Sequence, residues 1–169
     1  MREEMYKIVE LLREKFPEFK NAVISSTAVN AGVRESRRLV GAYSRTGEDT
    51  LSTKYFYDSV ARTAHPIDIH VGGGSKQTLI SLDRAGYIPY RTMYTEKCDN
   101  LLVAGRLIST DTTALATARV QATCMATGEA AGLAAAYCNE TGTGVAHVDI
   151  ERLRRTLIDG GSQITEEKD

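Results

Sequence analysis

Charge of one sign is what this sequence most plainly lacks. Its 169 residues set 21 Lys and Arg against 22 Asp and Glu, a net charge of −1. A general nucleic-acid or anionic-membrane surface normally shows a basic excess, so neither is expected as a partner. A secretory leader is lacking too, because residues 1–16 are charged and amphipathic with no apolar central region. Long apolar runs are lacking as well. The small-residue stretch 119–138 is weakly hydrophobic and contains Arg119 and Glu129, which argues against a membrane span. The expectation is a cytoplasmic domain, long enough to bury one core.

Cysteine is scarce: Cys98, Cys124 and Cys138 are the three present. If Cys124 and Cys138 share a helix, fourteen residues of rise separate them by about 21 Å, well beyond the ~7 Å Cα limit of a disulfide. There is no CxxC and no Cys/His spacing suited to zinc, so reduced thiols and no metal are expected. Also missing are GxGxxG, GxxxxGK[ST], GxSxG and HExxH, which removes the common phosphate-loop, esterase and zinc-protease readings. Gly72-Gly73-Gly74 is too short and wrongly spaced to cradle a phosphate. No repeat, low-complexity tract or obvious linker occurs.

What is present reads as mixed α and β. Met5, Ile8, Val9, Leu12 and Phe16 share one helical face over residues 3–16, and Pro17 stops that helix. Residues 21–29 and 34–44 read as strands, and residues 47–64 as short helical turns. Residues 65–74 read as an extended piece running into a glycine turn, and 87–94 as a strand interrupted or placed at an edge by Pro89. "NLLVAG" (100–105) is a continuous apolar run entering a glycine, the pattern of a buried parallel strand. A long small-residue helix follows, beginning between about Thr113 and Arg119 and ended by "TGTG" (141–144). Asp149 then caps a last helix that buries Ile150, Leu153 and Leu157.

Three features carry chemistry. The first is the order strand, Gly105-Arg106, polar loop, helix. In open α/β sheets ligands sit at the carboxyl ends of strands, and a helix start there offers free N–H groups and partial positive charge. Close packing of a central helix would equally explain its Ala and Gly. The second is "GVRESRR" (32–38), which serves either as a solvated charge cluster or as an anchor for a negative group. The third is His70, beside Asp68 and before the glycines, either structural or a proton-transfer group.

"GVRESRRLVGAY" (32–43), "HPIDIH" (65–70), "GYIPYRTMY" (86–94), "NLLVAGRLIS" (100–109) and "RVQATCMATGEAAGLAAA" (119–136) together resemble the C-terminal part of bacterial FAD-dependent oxidoreductases of the glutathione-reductase-like class. The resemblance covers about residues 1–160. It implies an α/β (or α+β) fold, the C-terminal part of a two-domain FAD-binding architecture with a mixed sheet and a long central helix. Residues 1–95 would form a substrate-side β-rich region, 96–162 the last strand and helices of the FAD-binding domain, and 163–169 a disordered tail. It also implies that the helix start faces the pyrimidine edge of the flavin. Gly105 and Arg106 would lie along FAD, and Ala118, Arg119 and Val120 would meet the flavin ring.

Two departures qualify the resemblance. The GxGxxG half is missing, so the chain reads as a C-terminal fragment, inactive alone and binding FAD weakly or not at all. Many relatives carry His-Glu where this chain has Thr112-Thr113, and Pro where it has Ala122, so a proton-handling role for that His is unavailable. His70, Arg91 and Arg37 remain candidates for positioning a small-molecule substrate. Expected partners are that substrate and either the missing N-terminal half or a homo-oligomeric copy. The alternative function is a non-catalytic assembly or interaction domain built on the same fold.

Overall fold

The computed structural model describes residues 2–70 and 77–167. The chain forms two compact units, Met1–Val33 and Arg34–Asp169.

In the first unit, helix α1 (Arg2–Lys15) carries Glu3 and Glu4 in its first turn and Arg13 and Lys15 in its last, the arrangement that complements the helix dipole. Pro17 closes it into a 3-10 turn, Pro17–Phe19. Arg13 then donates from Nε to the Ala22 carbonyl at 3.0 Å. Residues 21–29, expected as a strand, form no regular element. Nothing among the described residues supplies the ladder that a strand needs.

The second unit holds the core. Strand β1 (Ser59–Thr63) pairs antiparallel with β4 (Gly86–Pro89), with Ala61 opposite Ile88 and a bulge after Ser59. Strand β2 (Ile67–His70) pairs antiparallel with β3 (Gln77–Ile80). Helix α4 (Gln121–Thr141) lies on β1, and Ala130 and Ala134 are fully buried in a cluster with Val60, Ile88, Tyr90 and Ile108. Their small side chains bring the helix backbone close to the sheet. Gly142 ends α4 at φ +67, and its N–H donates to the Cys138 carbonyl, a left-handed cap that suits glycine. Asp149 accepts from the Arg152 N–H and starts α5 (Ile150–Asp159), which buries Leu153 and Leu157 as its spacing predicts. The fold is mixed α/β. Among the described residues, no helix is long and apolar enough to cross a membrane.

Four expectations need correction. Only Gly47–Leu51 of residues 47–64 is helical (α2); β1 follows it. Residues 34–44 form no regular strand, although Leu39, Tyr43 and Arg45 donate to the carbonyls of Leu107, Arg91 and Ser109. Gly41 sits where an added Cβ would lie 2.9 Å from Ser109 Cβ and 3.0 Å from the Tyr94 carbonyl oxygen, so this segment is threaded between two others rather than laddered. "NLLVAG" retains one antiparallel bridge, Tyr94 with Leu102, before a 3-10 turn at Gly105–Leu107. No parallel neighbour lies beside it among the described residues. Finally, within the stretch expected as a tail, Ile164 is 2% exposed and joins the core cluster, whereas Gln163 and residues 165–167 are exposed.

Candidate functional site

The small-residue helix is two helices. Helix α3 (Thr112–Ala118) is capped by Asp111, whose carboxylate accepts from the Ala114 N–H at 2.7 Å and from the Gly47 N–H of α2 at 2.8 Å. It ends at Arg119 (φ −79, ψ 0), and Val120 turns extended (φ −76, ψ 155) to become the N-cap of α4. Val120 supplies no side-chain cap. Helix geometry therefore leaves the first N–H groups of α4, at Gln121, Ala122 and Thr123, without intrahelical acceptors. Gln121 and Ala122 are exposed and Thr123 is buried at this positive dipole end.

Three segments converge on this junction. Gly105 donates its N–H to Thr127 Oγ1 at 2.9 Å, pinning the 3-10 turn to α4. Its φ of +64 lies in the left-handed region, and an added Cβ would come 3.2 Å from Cys124 Sγ. Arg106 is exposed on that turn. Burial raises the Cys124 thiol pKa while the positive charge of Arg106 draws it down, so the two groups are electrostatic neighbours. Gly105→Ala is expected to cost about 1–2 kcal/mol from the left-handed backbone alone, measurable as a lower urea midpoint with an unchanged slope.

The second segment is the RESRR run. Arg119, 12% exposed, lies with Nη1 3.6 Å from Glu35 Oε2. Glu35 Oε1 accepts from Arg38 Nη1 at 2.8 Å and from Thr112 Oγ1 at 3.3 Å. Glu35 is thus the hub joining the two motifs. Arg37 is exposed two residues further on. The third segment is β2, where the Asp68 carbonyl accepts from Arg119 Nη2 at 2.7 Å. His70 ends that strand opposite Gln77, and its side chain lies outside the described residues, as do residues 71–76.

Gly105, Arg106, Ala118, Arg119 and Val120 therefore share one neighbourhood, with Ala118 wholly buried behind it. Arg91 is differently engaged. It donates from Nε and Nη2 to the two Asp58 oxygens at 3.0 and 3.2 Å, and its guanidinium lies 5.3 Å from the Tyr43 ring centre and 5.1 Å from that of Tyr57. The bond to Asp58 raises its pKa. Sequence reasoning passed over Asp58 and Thr127. Each is a common polar residue whose partner lies more than twenty positions away. Among the described residues, no group of three His, Cys, Asp or Glu side chains is placed to hold a metal.

The family model described as FAD dependent oxidoreductase matches residues 1–157. No curated protein and no solved structure matches the chain.

Proposed function

The chain belongs to the FAD dependent oxidoreductases, and from that premise we propose that it supplies the flavin-edge and substrate-side part of an enzyme moving a hydride between a small-molecule substrate and FAD. The observation that carries this reading is the uncapped start of α4, flanked by Gly105-Arg106 and by Arg119. An electron-rich ring edge fits that site, because the N–H groups at the start of α4, which lack intrahelical acceptors, and the helix dipole favour negative charge there. Gly105 and Arg106 would lie along the cofactor, Ala118 would back the site, and Arg119 and Val120 would shape its rim. When bound, the flavin supplies the hydride chemistry, which belongs to the cofactor.

This chain's own work is to orient and to hold charge. Arg119, tied to Glu35 and Asp68, keeps the junction at a set angle. Arg37, exposed on the RESRR segment, and His70 are our candidates for substrate positioning. Nothing in the chain offers a GxGxxG turn for the ADP half. We therefore infer, in line with the glutathione-reductase-like class, that a second portion carrying that fingerprint completes the site and that this chain alone is inactive. The outer face of α4 supports such a docking. Gly128 and Gly132 have no neighbour where a Cβ would stand, and Met125 is exposed. Three free cysteines agree with a cytoplasmic setting.

Fluorescence and melting of the chain with added FAD test this. The isolated chain is expected to show no stoichiometric binding, and the same chain joined to a GxGxxG-bearing portion is expected to bind one FAD. Tight binding by the isolated chain would remove the need for a second portion. No binding by the joined protein would sink the flavin-edge assignment.

A further inference from the structure

We propose that the hollow at the carboxyl end of α4 is a binding site for a small aliphatic amine, taken as its ammonium ion. The hollow, about 590 Å³, lies between residues 99–102, the end of α4 and Val145. That volume falls within the range of small-molecule sites, roughly 300–1,000 Å³. It stands at the opposite end of α4 from the flavin-edge junction, about 30 Å along the helix axis. The inference therefore does not rest on the flavin reading.

Charge selects the head of the ligand. Of the residues lining the hollow, Asp99 alone carries a full charge. It is exposed, and its carboxylate has no ion pair or hydrogen bond among the described residues. The backbone fixes its place: the Asp99 carbonyl accepts from the Val145 N–H at 2.8 Å, and a Cβ added to Gly144 would lie 3.4 Å from Asp99 Cβ. The helix end supplies further negative potential, because the last four carbonyls of a helix lack intrahelical donors. The N–H groups of Gly142 and Thr143 both go to the Cys138 carbonyl. Those of Asn139, Glu140 and Thr141 accept from no backbone N–H among the described residues. The last turn of α4 has no basic residue to complement them. Glu140 is paired with Arg152 at 2.8 Å, but Arg152, Lys97 and His147 are not part of the lining.

Shape selects the rest of the ligand. Leu101, Leu102, Ala135 and Val145 give the hollow an apolar wall, and Leu101 is left 43% exposed. Cys138 belongs to that wall as well. Burial raises its thiol pKa, so it is a neutral, weakly polar group at physiological pH. An alkyl chain laid on this wall removes apolar surface from water, while its ammonium head meets Asp99 and the open carbonyls. A carboxylic acid of the same length would bring negative charge to a site that already holds it.

The test is calorimetric titration of hexylamine, an ammonium ion at neutral pH, into the full chain at low salt. Wild type is expected to bind it about fivefold more tightly than hexanol, the worth of one exposed ion pair. Hexanoate is expected not to bind. Asp99→Asn keeps the backbone bond to Val145 and is expected to weaken hexylamine by about the same factor. Ala135→Leu, at an exposed position, fills part of the hollow and is expected to weaken hexylamine and hexanol alike. The amide resonances of Asn139 and Gly142 must move as hexylamine saturates the wild type. Absence of binding by the wild type overturns the proposal, and so does hexanol bound as tightly as hexylamine. Unchanged affinity in either variant, or unmoved resonances at Asn139 and Gly142, overturns it too.

Discussion

Arg91→Met is expected to destabilise the protein by about 3–5 kcal/mol, the range seen when one partner of a buried ion pair is removed. The magnitude follows from an asymmetry. The Asp58 side chain is 1% exposed, while that of Arg91 is 32% exposed. Taking Arg91 away strands a carboxylate that water cannot reach, leaving the Arg91 backbone N–H at 3.1 Å as its one hydrogen bond among the described residues. Arg91 also fills the space between the Tyr43 and Tyr57 rings, so its stem and its charge are lost together. Urea unfolding gives the free energy, and Asp58→Asn supplies the contrast. That variant removes the buried charge as well as the pairing and is expected to cost less. If Arg91 acted only on substrate, Arg91→Met would leave the midpoint unmoved and affect turnover alone. A full-size stability loss assigns Arg91 to holding the turn after β4.

How far the residues announce this fold depends on how local each instruction is. Helix α5 was legible because Asp149, Ile150, Leu153 and Leu157 lie within nine positions, and a cap and an apolar stripe are both short-range signals. Gly142 was legible for the same reason. The break between α3 and α4 was not. Arg119 and Val120 lack the proline or glycine that usually marks an interruption, and the surrounding Ala and Gly give no amphipathic phase whose slip could be noticed. The segment 34–44 misled through its alternation, since its hydrogen bonds go to residues 91–94 and 107–109 without regular pairing. Ile164 is one apolar residue in a polar terminal stretch. Its burial depends on Arg154, which donates to the Ile164 carbonyl at 3.3 Å, to Tyr55 Oη at 2.9 Å and to the Ser59 carbonyl.

The candidate site divides along the same line. Gly105, Arg106, Ala118, Arg119 and Val120 were grouped by resemblance, and their proximity rests on contacts that periodicity does not encode, such as Gly105 N–H to Thr127 Oγ1. The charges of RESRR read as an undifferentiated cluster. In the fold Glu35 takes Arg38 and Arg119 together, while Arg37 stays exposed. The roles separate only when the neighbouring segment is present.

Arg45→Met carries the opposite sign to Arg91→Met and is expected to stabilise the protein by about 1–4 kcal/mol, as replacing buried ionic groups by well-packed apolar ones of similar volume can do. Arg45 is fully buried, and its Nε, Nη1 and Nη2 have no hydrogen-bond partner in the structure. Burial pushes its pKa down, to about 10, against the pull of Asp49 and Asp111, so it remains charged at neutral pH. Neither carboxylate is available to it as a direct acceptor. Asp49 serves Tyr43, the Thr46 N–H and Lys54, and Asp111 serves Gly47 and Ala114. A charge desolvated without pairing is a net cost, whereas a methionine keeps the volume and removes that cost. Gly86 makes the argument separable from general packing, because a Cβ there would lie 2.6 Å from Arg45 Nη2. Gly86→Ala should therefore destabilise the wild type yet be better tolerated beside Met at position 45, with a coupling of about 0.5–3 kcal/mol in a double-mutant cycle. A lower melting temperature for Arg45→Met, with no coupling to Gly86, would mean that the guanidinium is satisfied in solution.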